Sequence, residues 1–498
     1  MEVRLLSSNR WAPRKHVTKS STTIPGDGFW SPGLYGKRSQ RLSRSWLPLP
    51  DAGATYSSAT FSSPFRKHVR AMIDLAALRK DPAHFRQAFA DRGAVVDLEA
   101  LLALDHQVRE LKTGFETAKA EVNAASKAIG MAAKNGQDVG AAKERSRQLG
   151  DQAKTIDEQR EALEKQLHDQ LLHLPNECLP SVPKGKDSSD NKVVAQWGDK
   201  PTFAFAPKAH WDLGPALGIM DFDRAAKLSG SGFVVLCGAG ARLARALVSW
   251  FLDVHTTSHG YTELAVPYLV QPSAMQGTGQ LPKFADQLYH CQHDSLLLIP
   301  TAEVPITNYH AGEILDVAQL PLKYTAHTPC FRREAGAAGI GTRGMTRVHQ
   351  FDKVEIVWLT KPETSDADLL TLRGHAETLL QQLGLHYRVL ELCTGDTGFS
   401  SAHTYDLEVW SAGTNGWLEV SSCSTFTDFQ ARRANLRYRP AVGEKPQFVH
   451  TINGSGLALP RCFIALLETH QQADGSILIP PVLRPYVGGA ERIEAKKA

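Results

Sequence analysis

Apolar residues between positions 101 and 129 return at alternating intervals of three and four: Leu101, Leu104, Val108, Leu111, Phe115, Ala118, Val122, Ala125 and Ile129. That spacing keeps one apolar seam along a helix for about four heptads and predicts a coiled coil. Lys134-Asn135-Gly136-Gln137-Asp138 then carries a turn signature. A second seam follows through Leu149, Ala153, Ile156, Leu163, Leu167, Leu171 and Leu174, with Arg160 at its one polar position. Two such helices joined by a short turn form an antiparallel hairpin, and about 35 residues at roughly 1.5 Å each give an arm on the order of 50 Å long. A short amphipathic helix over residues 82–89 precedes it, so residues 72–174 make one helical domain.

The pattern then changes. Residues 175–200 hold three prolines before Lys184 and the polar run Lys184-Gly185-Lys186-Asp187-Ser188-Ser189-Asp190-Asn191, which predicts a linker. From 201 to 498 helical and strand periods mix, as in a single large α/β-containing domain. Leu243, Leu247, Trp250, Phe251 and Val254 share one face of a helix over 242–258 that Gly260 ends, and a strand over 261–270 is interrupted at Pro267. Two further strands, around 331–334 and 347–357, are joined by a loop of Gly, Ala and Thr. Strand alternation puts Arg332 and Glu334 on one face of the first, and Arg347, Phe351 and Glu355 on one face of the second. Guanidinium forks for phosphate, a ring for a base and carboxylates for amino groups suit a nucleotide. The same alternation also fits a solvated hairpin with scattered charges.

Charge and composition narrow the picture. The chain has 498 residues, 42% of them hydrophobic, enough for two or three domains and a large core. No run approaches the roughly 18 apolar residues of a membrane span. The net charge of +4 divides unevenly: residues 1–71 hold 12 Lys/Arg against 3 Asp/Glu, and the remainder holds 44 against 49. A nucleic-acid surface on the folded part must therefore come from local clustering, such as Lys112, Lys119, Lys127, Lys134, Lys143, Arg145, Arg147 and Lys154 along the arm. Periodicity alone fits a spacer or a dimerisation coil equally well. The seven cysteines (Cys178, Cys237, Cys291, Cys330, Cys393, Cys423, Cys462) are dispersed, odd in number and without C-x-x-C spacing, which predicts free thiols and no zinc site of the usual spacing. Residues 1–71 are rich in Ser, Arg, Pro and Gly with no sustained period, so a disordered extension is expected. It is either an organellar transit peptide, which would put the protein in a mitochondrial or plastid matrix, or an overextended start before Met72, the preferred account, which leaves it in the cytoplasm.

Several runs are specific in wording. Phe331-Arg332-Arg333-Glu334 followed by Arg347-Val348-His349-Gln350-Phe351-Asp352-Lys353-Val354-Glu355 resembles motif 2 of the class II aminoacyl-tRNA synthetases, and its nearest match is the seryl-tRNA synthetases. Pro300-Thr301-Ala302-Glu303-Val304-Pro305, Glu419-Val420-Ser421-Ser422-Cys423-Ser424, Thr427-Asp428-Phe429-Gln430-Ala431-Arg432-Arg433 and a motif-3-like run from Asn453 through Ser455 to Pro460-Arg461 are similar to the same family. Pro460 suits the first turn of a helix running to about His470, which sets Arg461 at an anion-favouring helix start. His403 stands where the family pattern has Lys.

The resemblance covers the chain from Met72 onward. It implies an α+β fold: an antiparallel coiled-coil arm, then a catalytic domain on an antiparallel sheet flanked by helices, whose helix and proline-bearing strand at 242–270 form a homodimer interface. It implies ATP, L-serine and tRNA(Ser) as substrates, with tRNA(Sec) a further acceptor, and Mg²⁺ with the ATP. Thr301, Ala302, Glu303, Glu355, Asn453 and Ser455 would hold serine. Arg332, Arg333, Glu334, Val348, Phe351, Glu419, Val420, Ser421, Ser422 and Arg461 would hold ATP, with Arg332 and Arg461 catalytic and Glu419 and Ser422 on the metal. An amino-acid ligase for a carrier protein would keep the ATP motifs but lack the arm. A non-catalytic paralogue would be expected to lose Arg332, Glu355 or Arg461, and all three are present.

Overall fold

The computed structural model describes residues 73–335 and 343–495. The extension over 1–71 and the middle of the loop between Arg332 and Arg347 lie outside the described residues. Two short helices open the described chain, α1 (Leu75–Lys80) and α2 (Pro82–Asp91). The Asp74 carboxylate caps α1 by accepting from the Ala76 and Ala77 N–H groups, and Asp81 caps α2, where Pro82 removes an N–H that would have had no helical partner. The arm follows as α3 (Leu98–Lys134) and α4 (Gly140–Leu172), joined at Asn135 and Gly136, whose φ of +71° suits glycine.

The predicted seam is the contact between α3 and α4. Near the stem Leu101, Leu104, Val108, Leu167 and Leu171 are buried in one core with Phe85, Phe89 and Leu78 of the short helices. Towards the turn Phe115, Ala118, Val122, Ala125 and Ile129 are half-buried, since only one partner helix covers them. Arg160, the polar seam residue, hydrogen-bonds Asp157 and Glu164 on its own helix and sets its guanidinium carbon 5.5 Å from the Phe115 ring centroid on α3. Its charge is thus paired beside the seam while its face packs on an aromatic ring.

The second part is built on an eight-stranded sheet. Its strands are β1 (Lys192–Trp197), β2 (Thr262–Glu263), β3 (Leu322–Phe331), β4 (Gln350–Thr360), β5 (Tyr387–Glu391), β6 (His403–Ser411), β7 (Gly416–Thr425) and β8 (His450–Ala458). They lie in the order β1-β5-β6-β7-β8-β4-β3-β2, antiparallel throughout except for the parallel β2–β3 pair. Three helices, α5 (Ala239–Thr257), α7 (Ser365–Gln382) and α9 (Leu459–His470), cover one face. Leu247, Phe251, Leu372, Leu379, Phe463 and Leu467 pack there against Val354, Ile356, Leu407, Val409 and Ile452 in one core. Alternation then obliges Phe351, Lys353 and Glu355 of β4 to face the other way. The short helices α6 (Glu303–Thr307) and α8 (Phe429–Ala434) border that opposite face.

Three expectations are corrected. The stretch expected as a linker over 175–200 is built into the second part: Asn176 and Leu179 donate backbone hydrogen bonds to Phe399 O and Ala402 O, and β1 pairs with β5 at the sheet edge. The strand expected over 261–270 divides at Pro267, β2 joining the main sheet while Leu269–Val270 pairs with Leu297–Leu298 in a separate ribbon. The two strands expected around 331–334 and 347–357 are placed differently: β3 lies before the expected stretch and stops at Phe331, and β4 starts only at Gln350 and runs on to Thr360. Glu334 instead has a φ of +48°, which no strand residue adopts, and Arg347 lies in the loop.

Candidate active site

Phe331 lies opposite Gln350 where β3 and β4 end, and the Arg332 N–H donates to His349 O at 2.9 Å, so both chains leave the sheet together. Arg332 Nε then donates to Pro300 O at 3.3 Å, and its guanidinium carbon lies 5.2 Å from the Phe351 ring centroid. The left-handed turn at Glu334 brings its carboxylate to Arg347 Nη1 at 3.2 Å. Arg461, in the first turn of α9, donates to Glu419 O at 2.8 Å and Thr346 O at 3.3 Å. Arg332, Glu334, Arg347, Phe351, Glu419 and Arg461 line one cavity with Val348, Val420 and Ser455.

A second cavity adjoins it beside α6, lined by Thr301, Glu303, Glu355, Ser422, Asn453 and Ser455, with residues 398–401 forming one wall. Arg332, Lys353, Glu419 and Ser455 line both cavities. At the join Lys353 Nζ donates to Thr301 Oγ1 at 2.8 Å and ion-pairs with Glu355, while Thr301 Oγ1 donates to Glu355 Oε2 at 3.1 Å. Glu303 accepts from Gln430 Nε2 at 2.6 Å, and Thr451 Oγ1 donates to Gln430 Oε1 at 2.7 Å, which sets the amide's orientation. Burial, and secondly the Glu355 charge, push the Glu303 carboxyl up to about 7. Asp406 of β6 faces Ser422 of β7 across the strand pair. Burial, then the Glu419 charge, raise its carboxyl well above the usual carboxylate range, and its Oδ1 is buried without a hydrogen-bond partner.

Three of the residues expected at the site point elsewhere. Ala302 is fully buried in the packing of α6 with Ile306, Ala326 and Val357. Arg333 is turned outward, donating to Asp286 O at 3.1 Å. The Ser421 hydroxyl donates to Ser455 O at 2.7 Å and lines neither cavity. His403, in place of the family's Lys, is buried and bonded to Glu391 at 2.9 Å on the neighbouring strand.

Sequence reasoning missed Lys353, Asp406, Gln430 and the 398–401 wall. Lys353 was within reach, being two positions from both Phe351 and Glu355 on one strand face. Gln430 stood inside a quoted run and Asp406 three positions after His403, without a signal that one holds Glu303 and the other faces Ser422.

The helical part matches the family described as the seryl-tRNA synthetase N-terminal domain over residues 72–178, and residues 288–470 match the tRNA synthetase class II core domain (G, H, P, S and T). Over 425 residues the chain is 51% identical to a serine--tRNA ligase of Nitratidesulfovibrio vulgaris, a match spanning 85% of this chain and 100% of that protein. The chain belongs to the seryl-tRNA synthetase family. Among solved structures it is similar to the seryl-tRNA synthetase of Pyrococcus horikoshii complexed with ATP, at 36% identity and a TM-score of 0.79, covering 85% of this chain and 100% of that one. It is also similar to the cytoplasmic serine-tRNA ligase of Naegleria fowleri in complex with AMP, at 27% identity and a TM-score of 0.74, covering 86% and 99%. Family membership accounts for both the paired arm helices and the antiparallel sheet. Among the described residues no helix is long and apolar enough to cross a membrane.

Proposed function

We propose that the two adjoining cavities are the ATP and L-serine sites of a serine--tRNA ligase. The observation that carries this reading is their shared wall: Arg332, Lys353, Glu419 and Ser455 stand where a carboxylate from one cavity would meet a phosphate from the other. Serine carboxylate attacks the ATP α-phosphorus in line and pyrophosphate leaves. The terminal ribose hydroxyl of tRNA(Ser) then attacks the acyl carbon of seryl-adenylate, and AMP leaves. Arg332 neutralises charge on the carboxylate and α-phosphate, the adenine lies between Phe351 and the Arg347–Glu334 pair, and Arg461 takes the γ-phosphate. Thr301, Glu303 and Glu355 accept from the serine ammonium and hydroxyl. A substrate without the hydroxyl would leave buried groups unpaired, which is how such a pocket rejects alanine.

Glu419 and Ser422 are hard oxygen donors, and two acidic side chains with an unpartnered carboxylate oxygen at Asp406 favour a cation beside them. They fit Mg²⁺, which would neutralise the triphosphate. A homodimer, cytoplasmic location and charging of tRNA(Sec) belong to the same proposal. ATP–pyrophosphate exchange across a panel of amino acids tests it: serine alone should support exchange, and activity with another amino acid but not serine would refute it.

Glu355→Gln keeps shape and removes charge, so the serine KM should rise about tenfold or more, and Tm should fall as well because Lys353 loses its buried counter-charge. Equal serine KM in both proteins would put Glu355 outside the pocket. Glu303 adds a pH dependence. Its folded pKa is raised to about 7, so it is protonated below that pH and negative above it. If the ionised form holds the ammonium, kcat/KM for serine falls as pH drops through about 7, and Glu303→Gln flattens that limb. An unchanged profile in Glu303→Gln would remove Glu303 from ammonium binding.

A further inference from the structure

One wall of the second cavity is held from the helical domain. Arg92, at the C-terminal end of α2, extends its guanidinium fork into the loop over 397–401. Nη2 donates to Thr397 O at 2.8 Å and Gly398 O at 2.6 Å, and Nη1 donates to Ser401 O at 3.0 Å and to Cys178 Sγ at 3.0 Å. Asn176, just past α4, takes the carbonyls that remain: its N–H donates to Phe399 O at 3.0 Å and its Nδ2 to Ser400 O at 2.9 Å. Five successive carbonyls of an irregular loop are thus each satisfied by one of two side-chain-bearing residues more than 200 positions away in the chain. Among the described residues Arg92 has no carboxylate within ion-pair distance, so its charge is met by carbonyl dipoles and the Cys178 sulfur.

The held loop presents Gly398, Phe399, Ser400 and Ser401 to the same cavity as Thr301, Glu303 and Glu355. On its far side the Ser400 hydroxyl donates to Thr278 O at 3.1 Å, which joins the loop to the segment before α6. A planar fork is suited to span three carbonyls whose spacing the loop alone would not keep.

We propose that Arg92, acting with Asn176, is a positioning residue for amino-acid binding: the helical domain shapes the serine pocket by fixing the 397–401 wall. This rests on the reading of that cavity as the serine site. Arg92 touches no substrate in this scheme. Its loss lets the wall relax, weakening serine and leaving the nucleotide cavity, which the loop does not line, as it was.

The test is ATP–pyrophosphate exchange without tRNA on the full chain, with Arg92→Met, which keeps much of the side chain's bulk but none of its donors, and Arg92→Lys. Arg92→Met should raise the serine KM at least about tenfold, with the ATP KM within about twofold and the active fraction from adenylate burst titration unchanged. Arg92→Lys should fall between, since an ammonium cannot span three carbonyls. A serine KM within about twofold of wild type in Arg92→Met overturns the proposal, as do serine and ATP KM rising together with a falling active fraction, the signature of general loosening. If Arg92→Met does not fold, Arg92→Lys decides: a threefold or larger rise in serine KM alone supports the clamp, and no rise overturns it. Glu355→Gln is run alongside. A serine KM unmoved by Glu355→Gln overturns the reading of the cavity and the clamp with it, whereas a shift there with none at Arg92 overturns the clamp alone.

Discussion

Arg461→Ala should lower the rate of adenylate formation on the order of 10²-fold, the scale of losing one preorganised charged donor at a reacting phosphate. Arg461 sits in the first turn of α9, whose N-cap, Ala458, supplies no side-chain hydrogen bond to the helix N–H groups. Guanidinium and helix dipole therefore point at the same space, the first cavity. Its present partners, two backbone carbonyls and the Glu419 carboxylate at 3.5 Å, hold it in place without burying its charge. The loss should fall on kcat for exchange and on the ATP KM. The serine KM should hold, because Thr301, Glu303 and Glu355 are not among its contacts. Exchange within about threefold of wild type would remove Arg461 from the phosphate site.

Replacing residues 126–147 by a short turn should separate the two half-reactions. The stem core, from Leu78 and Phe85 to Val108 and Leu167, lies below the cut, and the removed side chains are exposed or half-buried on α3 and α4 only. The sheet and both cavities should fold as before, and adenylate formation should persist. The removed segment carries Lys127, Lys134, Lys143, Arg145 and Arg147, all exposed, and only Arg147 is ion-paired among them. Several phosphate contacts disappear together, so kcat/KM for tRNA should fall by roughly 10²-fold or more, mainly through KM, since a contact remote from the chemistry supplies uniform binding. Losing shape recognition of a long RNA arm would also narrow the difference between cognate and non-cognate tRNA. Charging as efficient as that of the full chain would make the arm a spacer.

What the sequence by itself determined here is whatever a local period can encode. The arm was legible because each seam residue of α3 and α4 repeats within its own helix, and even the exceptional Arg160 was visible as one. The strand face carrying Phe351 and Glu355 was legible for the same reason, and extending the alternation by one step would have added Lys353. Motif wording placed Arg332, Arg461, Thr301 and Glu303 beside one site, although Ala302, Arg333 and Ser421, adjacent in the same runs, turn away because neighbouring residues leave an element on different sides.

Only the tertiary structure decided what closes the site. Glu303 meets Gln430 across 127 residues, and burial, then the Glu355 charge, lift its pKa against the lowering effect of that Gln430 hydrogen bond. Arg92 meets Thr397 across 305 residues, and the stretch between 175 and 200, polar enough to pass for a linker, carries an edge strand of the sheet. No periodicity marks such meetings. Hydrogen bonds to loop carbonyls depend on backbone positions brought together by packing, and a carboxylate's charge depends on what packing removes from water.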